Sequence, residues 1–283
     1  MLNRLDFRQI TNNFYAWGFG VSLLGIGVVW GFPFIYGVLS SLKPTTEIYS
    51  WPPTLLPQNP TFAPYLDMFN RVPFGRYYFN SLLVCTIATL VVMIFGSMAG
   101  YAFSKLEIPG KSILLLVILG TIMIPPQALL IPLFLVLDTL RVLDTYLALI
   151  LPYAALHLPF AVFIFTGFFD QIPDDLQDCA RVDGASWYTI FYRIMVPLAR
   201  PALATVAIFS FIGSWKDFII ALTMTNSQTM RTVPVGIAEI EASNPGMNLL
   251  MAAAMLASIP MVLVFLLMQK QFIKGLTGGA VKG

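Results

Sequence analysis

Long apolar runs alternate with short polar breaks along the whole chain. Six runs, over residues 17–42, 80–103, 112–137, 146–169, 198–222 and 249–269, each reach about the 20 residues that a bilayer-spanning helix needs. The first is too long for a signal-peptide core and has no small-residue cleavage site after it, so it is expected to stay as a span. Residues 43–78 are polar and proline-rich (WPPTLLPQNPTFAPY), which rules out a long helix and favours extended backbone. Residues 104–111 read as a basic turn, 138–144 as a short loop, and 223–248 as a longer polar loop with the turn Asn244-Pro245-Gly246. The third run holds Pro125, Pro126 and Pro132. The carbonyls they free must be satisfied inside a bilayer, so this run is expected either to face protein or a cavity or simply to kink at the prolines. The predicted fold class is all-α: residues 1–16, one domain of six membrane helices, and a basic, glycine-rich tail over 270–283.

The longest polar interruption of the second half, 170–197, predicts two short helices around a glycine. Pro173 suits a first helical position, and Asp174 and Asp175 suit the positive end of the helix dipole. Leu176, Cys179, Ala180 and Asp183 recur at helical spacing and so share a face. Gly184 ends that helix by taking a left-handed conformation. Ser186 caps an aromatic helix over 187–195, which Pro197 and Pro201 close.

Composition agrees with the pattern. Of 283 residues, 58% are apolar and 11% charged, where a soluble domain has about 45–50% and about 25%. This is an integral membrane protein. A net charge of +2 without a basic cluster leaves no case for nucleic acid. Cys85 and Cys179 fall in different segments, so no disulfide is implied. With both ends on the cytoplasmic side, ten of the sixteen Lys and Arg are cytoplasmic, Lys105, Lys111, Arg181, Arg193 and Arg200 among them. That bias favours this orientation.

The polar loop resembles the coupling loop of membrane subunits of ABC importers, which reads E-A-A, three residues, G, then about nine residues to I-x-x-P. Asp178, Cys179 and Ala180 stand for the first three positions, Asp183, Gly184 and Ala185 for the D-G-A of its longer form, and Ile194 and Pro197 for the end. Asp178 replaces Glu and Cys179 replaces Ala. Further stretches are similar to the maltose-type carbohydrate permeases: SLKPTTEIYSWPPTLLP, FNSLLV, MIPPQALLIPLF, ATVAIFSFIGSWKDFIIALT, RTVPVGI and the ending F-I-x-G-L-T-x-G-A-V-K-G. That branch usually has Asn where this chain has Lys216.

The resemblance implies a prokaryotic inner-membrane permease that pairs with a homologous second permease on two copies of a cytoplasmic ATPase, fed by an extracytoplasmic solute-binding protein. Asp178 would be the charged contact of the ATPase cleft, Ala180 the close-packed one and Gly184 the turn. The tail, with Lys274, Gly275 and Gly279, would approach the ATPase. Trp215, Lys216 and Asp217 would border the translocation path. ATP and Mg would sit on the partner ATPase: Gly110-Lys111-Ser112 looks like the end of a phosphate loop, but Lys105 stands where that loop needs glycine. No cofactor, metal-ligand spacing or nucleophile–base pair is expected, so the chain is not expected to be an enzyme. The lone His157 reads as a buried packing residue in preference to a substrate contact. The alternatives are an ion-driven secondary transporter and a non-transporting scaffold. Against the first, Asp217 is the one acid in the apolar runs, and at about 1.5 Å per residue it lies about 27 Å along its helix, near the outer boundary.

Overall fold

A computed structural model describes residues 4–243 and 246–278, with side chains over 18–243 and 246–273. Helices follow in the order α1 (Arg4–Ser41), α2 (Thr45–Ile48), α3 (Ala63–Arg71), α4 (Phe74–Lys105), α5 (Lys111–Gly120), α6 (Leu130–Thr139) and α7 (Leu147–Phe169). The second half holds α8 (Asp175–Val182), α9 (Trp187–Ile190), α10 (Val196–Leu198), α11 (Arg200–Trp215), α12 (Ile219–Met224), α13 (Val233–Ala242) and α14 (Met247–Gly278). No strand occurs among the described residues, so the all-α class holds. Four helices are long and apolar enough to cross a membrane, and six spans result if each of two bent pairs counts as one.

Both bends sit at prolines. Lys111–Met123 and Pro126–Thr139 meet at 94°. Ile124 and Pro125 each precede a proline, a position that is pushed out of the α region, and both are extended, with ψ of 118° and 130°. Trp187–Leu198 and Arg200–Trp215 meet at 75°. There Pro201 enters the first turn of α11, where its missing N–H costs no intrahelical bond.

Three expectations change. The fifth run is not one helix: α11 stops at Trp215 and α12 starts at Ile219, because Asp217 Oδ1 accepts the N–H groups of Ile220 (3.0 Å) and Ala221 (3.3 Å) and so begins a new helix. The polar loop 223–248 contains α13, whose Val233, Val235 and Ile240 are buried. The proline-rich segment holds only the short α2 and α3, so no long helix forms before Phe74, but α4 begins there, six residues ahead of the second apolar run.

The chain forms two compact units. One takes the chain up to Arg71 with Ile240–Leu256; the other takes Val72–Glu239 and the chain from Ala257 on. In the first, Glu47 ties down the proline-rich segment, accepting from the Gln58 N–H (2.9 Å), the Asn59 N–H (3.3 Å) and the Thr54 hydroxyl (3.0 Å). The Gln58 N–H, more than the other donors, holds its carboxyl below the usual carboxylate range. Lys43 donates to the Thr54 carbonyl, and Asn248 donates to the Lys43 carbonyl at 2.9 Å.

The second unit is built on α4 and α7. A Cβ at Gly96 would lie 2.7 Å from the Ala161 Cβ, and one at Gly100 would lie 2.4 Å from the Phe165 Cβ, so the two glycines let the helices touch. Val92, Tyr101, Phe165, Phe169, Met195 and Val206 bury the seam and join α11 to it. At the other end of α4, Asn80 donates to the carbonyls of Thr229 (2.8 Å) and Arg231 (2.9 Å), Ser81 accepts from the Val233 N–H (2.9 Å), and the Tyr77 hydroxyl donates to Glu239 (2.8 Å). Arg231 pairs with Glu239. FNSLLV and RTVPVGI, far apart in sequence, therefore bind one another.

Candidate functional site

Two places in the second unit hold the candidate residues. The first is the loop around α8. Asp174 and not Pro173 precedes the first turn, which carries Asp175 and Asp178; the last turn carries Arg181. Both charge placements suit the helix dipole. Asp178 and Cys179 are exposed, Ala180 is half-buried against the core, and Asp183 ends the helix. Gly184 has φ +80°; its N–H donates to the Arg181 carbonyl (3.0 Å), and the Ala185 N–H donates to the Ala180 carbonyl (2.9 Å). This pair of bonds is a Schellman closure, which needs the left-handed residue.

Ser186 caps α9 by accepting from the Thr189 N–H at 3.3 Å. The second helix then widens into a π turn over Phe191–Met195 and runs on to Leu198. The widening lies just before Pro197, which has no N–H and whose ring crowds the carbonyl four residues back. Ile194 is half-buried in that turn and Pro197 is exposed. Arg181 lies over the Trp187 ring, 4.7 Å from its centroid. Leu176, Val182, Tyr188 and Tyr192 leave large apolar surface exposed around the charges.

The residues that hold this loop are ones the sequence reading missed. The Tyr101 hydroxyl donates to the buried Gln177 at 2.9 Å. Ser104 donates to Asp170 at 2.6 Å. Lys105, read as part of a basic surface turn, has its side chain 4% exposed and reaches the Ile172 carbonyl and Asp174, both at 2.6 Å. The end of α4 thus grips the start of α8. Lys105→Met should leave the Ile172 carbonyl without that donor, at a cost of about 1–3 kcal/mol. Faster protease cutting between 170 and 186 with reduced transport is expected; wild-type cutting and transport would show the grip to be idle.

The second place is a cavity of about 740 Å³ bordered by Tyr153, His157, Phe160, Phe209, Lys216 and Asp217, among others. Trp215 does not border it. Its ring is 2% exposed, donates to the Ala257 carbonyl at 3.0 Å and stacks on Phe211, so it works as a core anchor. Asp217 also accepts from the Tyr153 hydroxyl at 3.1 Å. Lys216 and Asp217 stand in the break between α11 and α12, not on a continuous helix. His157 is half-buried, packed over Gly213, where a Cβ would come within 2.5 Å of its ring, and it also borders the cavity. No metal-binding cluster occurs among the described residues. Lys274 and Gly275 continue α14, which runs to Gly278 and not to 269; their side chains, and Gly279 altogether, lie outside the described residues.

Relatives match this chain in sequence over most of its length. The trehalose transport system permease protein SugB of Mycobacterium tuberculosis is 37% identical, over 86% of this chain and 89% of its own. The arabinooligosaccharides transport system permease protein AraQ of Halalkalibacterium halodurans is 32% identical over 98% and 100%. The sulfoquinovosyl glycerol transport system permease protein SmoH of Agrobacterium fabrum is 32% identical over 89% of each. A solved bacterial ABC transporter involved in the import of the acidic polysaccharide alginate matches with a TM-score of 0.79 at 22% identity, over 93% of this chain and 98% of that one, which speaks for the fold. The family described as binding-protein-dependent transport system inner membrane component matches residues 92–278, and the chain belongs to it as an ABC transporter permease.

Proposed function

We propose that this permease is one half of the membrane core of an ATP-driven importer for a sugar, oligosaccharide or related polyol. Its named relatives are permeases for trehalose, arabinooligosaccharides and sulfoquinovosyl glycerol, which supports the substrate class. The observation that carries the energy source is α8: a short exposed helix, closed by Gly184 and gripped by α4, with apolar surface around its charges. Exposed apolar surface of that kind marks protein contact sites.

In this reading both termini and α8 face the cytoplasm, and α8 seats on one of two ATPase copies that hold ATP and Mg. A homologous permease completes the pore, and an extracytoplasmic solute-binding protein delivers the sugar. The tail, with Lys274, Gly275 and Gly279, approaches the ATPase. When ATP draws the ATPases together, α8 moves with them. The bonds from Tyr101, Ser104 and Lys105 carry that motion into α4, whose glycine seam moves α7 as one body. Packed helices have discrete arrangements, so a small shift tips the cavity between the two faces of the membrane. An ion-driven carrier would need a carboxylate free to take up and release protons or ions. Asp217 is instead engaged by a hydroxyl and two backbone N–H groups, which speaks against that role.

Asp178→Lys should loosen the ATPase and lower stimulated hydrolysis. Removing one partner of a charged interface pair typically weakens binding by about 2–5 kcal/mol, and Asp178→Glu, which keeps the charge, should be tolerated. Co-purification and ATP hydrolysis at wild-type levels in the lysine variant would remove Asp178 from the interface. The proposal itself is tested by sugar uptake into vesicles holding both permeases, the ATPase and the binding protein. Uptake should need ATP and ignore an imposed proton or sodium gradient; gradient-driven uptake without ATP would favour the carrier.

A further inference from the structure

The cavity is bordered by a charge that forms no ion pair among the described residues. Asp217 borders it too, but its Oδ1 is already engaged by the Tyr153 hydroxyl and by two backbone N–H groups of α12. Lys216, next to it in sequence, borders the same cavity and is exposed; among the described residues it makes no ion pair. His157 borders the cavity as well, set against the backbone of α11 because Gly213 has no side chain to displace its ring. Phe160 and Phe209, with ring centroids 5.3 Å apart, supply apolar surface on the wall. An ammonium, an imidazole N–H and aromatic faces within one cavity of about 740 Å³ suit a ligand of small-molecule size with both an anion and apolar ring faces.

We propose that Lys216 and His157 form a subsite for the anionic group of an acidic sugar, a carboxylate, sulfonate or phosphate, with Phe160 and Phe209 against the sugar ring. This rests on the importer reading above and adds the charge of the substrate to it. An anionic ligand gives the exposed ammonium a charged partner within the cavity, which a neutral sugar does not. His157 lies on α7 over Gly213 of α11, and Lys216 directly follows the last residue of α11, so the α7–α11 packing brings both to one cavity.

The test is uptake by the complete importer, with its second permease, ATPase and binding protein, of neutral disaccharides (trehalose, cellobiose, arabinobiose) and of uronate, sulfonate and phosphate sugars. Wild type should take up at least one acidic class, and the class identifies the anion. Lys216→Gln should lower the ratio of acidic to neutral uptake by about tenfold or more, and Lys216→Arg should keep it within about threefold. The amount of assembled complex is measured for each variant. Uptake of neutral sugars only, or an unchanged ratio in Lys216→Gln, overturns the subsite and leaves the importer standing. ATP-dependent uptake of no sugar at all overturns both.

Discussion

Gly100→Val should nearly abolish the yield of folded protein. A Cβ at this position would stand 2.4 Å from the Phe165 Cβ, 2.9 Å from the Thr166 nitrogen and 3.0 Å from the Phe165 carbonyl carbon. Two of those three atoms are backbone of α7, which cannot rotate aside. The helices must part, and the packing along the whole seam loosens with them. Overpacking a core costs about 1–3 kcal/mol where side chains can give way. With backbone in the path, the cost should lie at or above the top of that range, against a total stability of about 5–15 kcal/mol. Membrane-inserted amount and melting temperature in detergent are the readouts. Gly100→Ala should show a smaller loss in the same direction. Wild-type yield and melting of the valine variant would mean that α4 and α7 do not meet at this point.

Gly184→Val should do the opposite: spare the protein and stop transport. No atom lies within 4 Å of a Cβ built there, so the side chain itself meets nothing. The penalty is in the backbone, because φ +80° costs an L-residue about 1–2 kcal/mol and suits a β-branched one least. The chain can escape it by leaving the left-handed region, which breaks the bonds from Gly184 and Ala185 back into α8 and re-aims the helix. The glycine seam between α4 and α7 is untouched, so yield and melting temperature should stay near wild type. ATP-driven uptake and ATPase association should both fall by an order of magnitude or more, since each 1.4 kcal/mol is about tenfold. Normal uptake by a well-expressed Gly184→Val protein would contradict the role given to the loop.

Much of this architecture was legible because local rules govern it. The apolar runs, the left-handed Gly184 and the Ser186 cap each depend on a few consecutive residues. What stayed hidden depends on partners distant in sequence. Lys216 and Asp217 read as neighbours on one helix because nothing near them in sequence announces the Tyr153 hydroxyl on α7 or the restart of α12. Lys105 read as a surface cation because its acceptors lie 67 and 69 residues away. The prolines at 125 and 126 were visible, but the 94° turn they allow is set by the packing on each side. α13 was missed because its charged residues, Glu239 and Glu241, made the segment look like loop. Glu239 is in fact paired with Arg231 and Tyr77. The seam was open to inspection: Gly96 and Gly100 form a G-x-x-x-G, a spacing that brings membrane helices together.

The claim on which the account turns is that α8 lies on the cytoplasmic face and seats on the ATPase. The native thiols allow a direct measurement without any substitution. Cys179 is exposed on α8 and Cys85 is buried, so a membrane-impermeant maleimide should label the chain at Cys179 alone. The labelling rate is measured in inside-out and right-side-out vesicles, first stripped of ATPase and then with purified ATPase added back. Labelling should be fast in stripped inside-out vesicles, absent in right-side-out ones, and slowed about tenfold or more when the ATPase binds, as for an interface worth at least about 1.4 kcal/mol. Labelling from the opposite face, or a rate that saturating ATPase leaves unchanged, would contradict this claim.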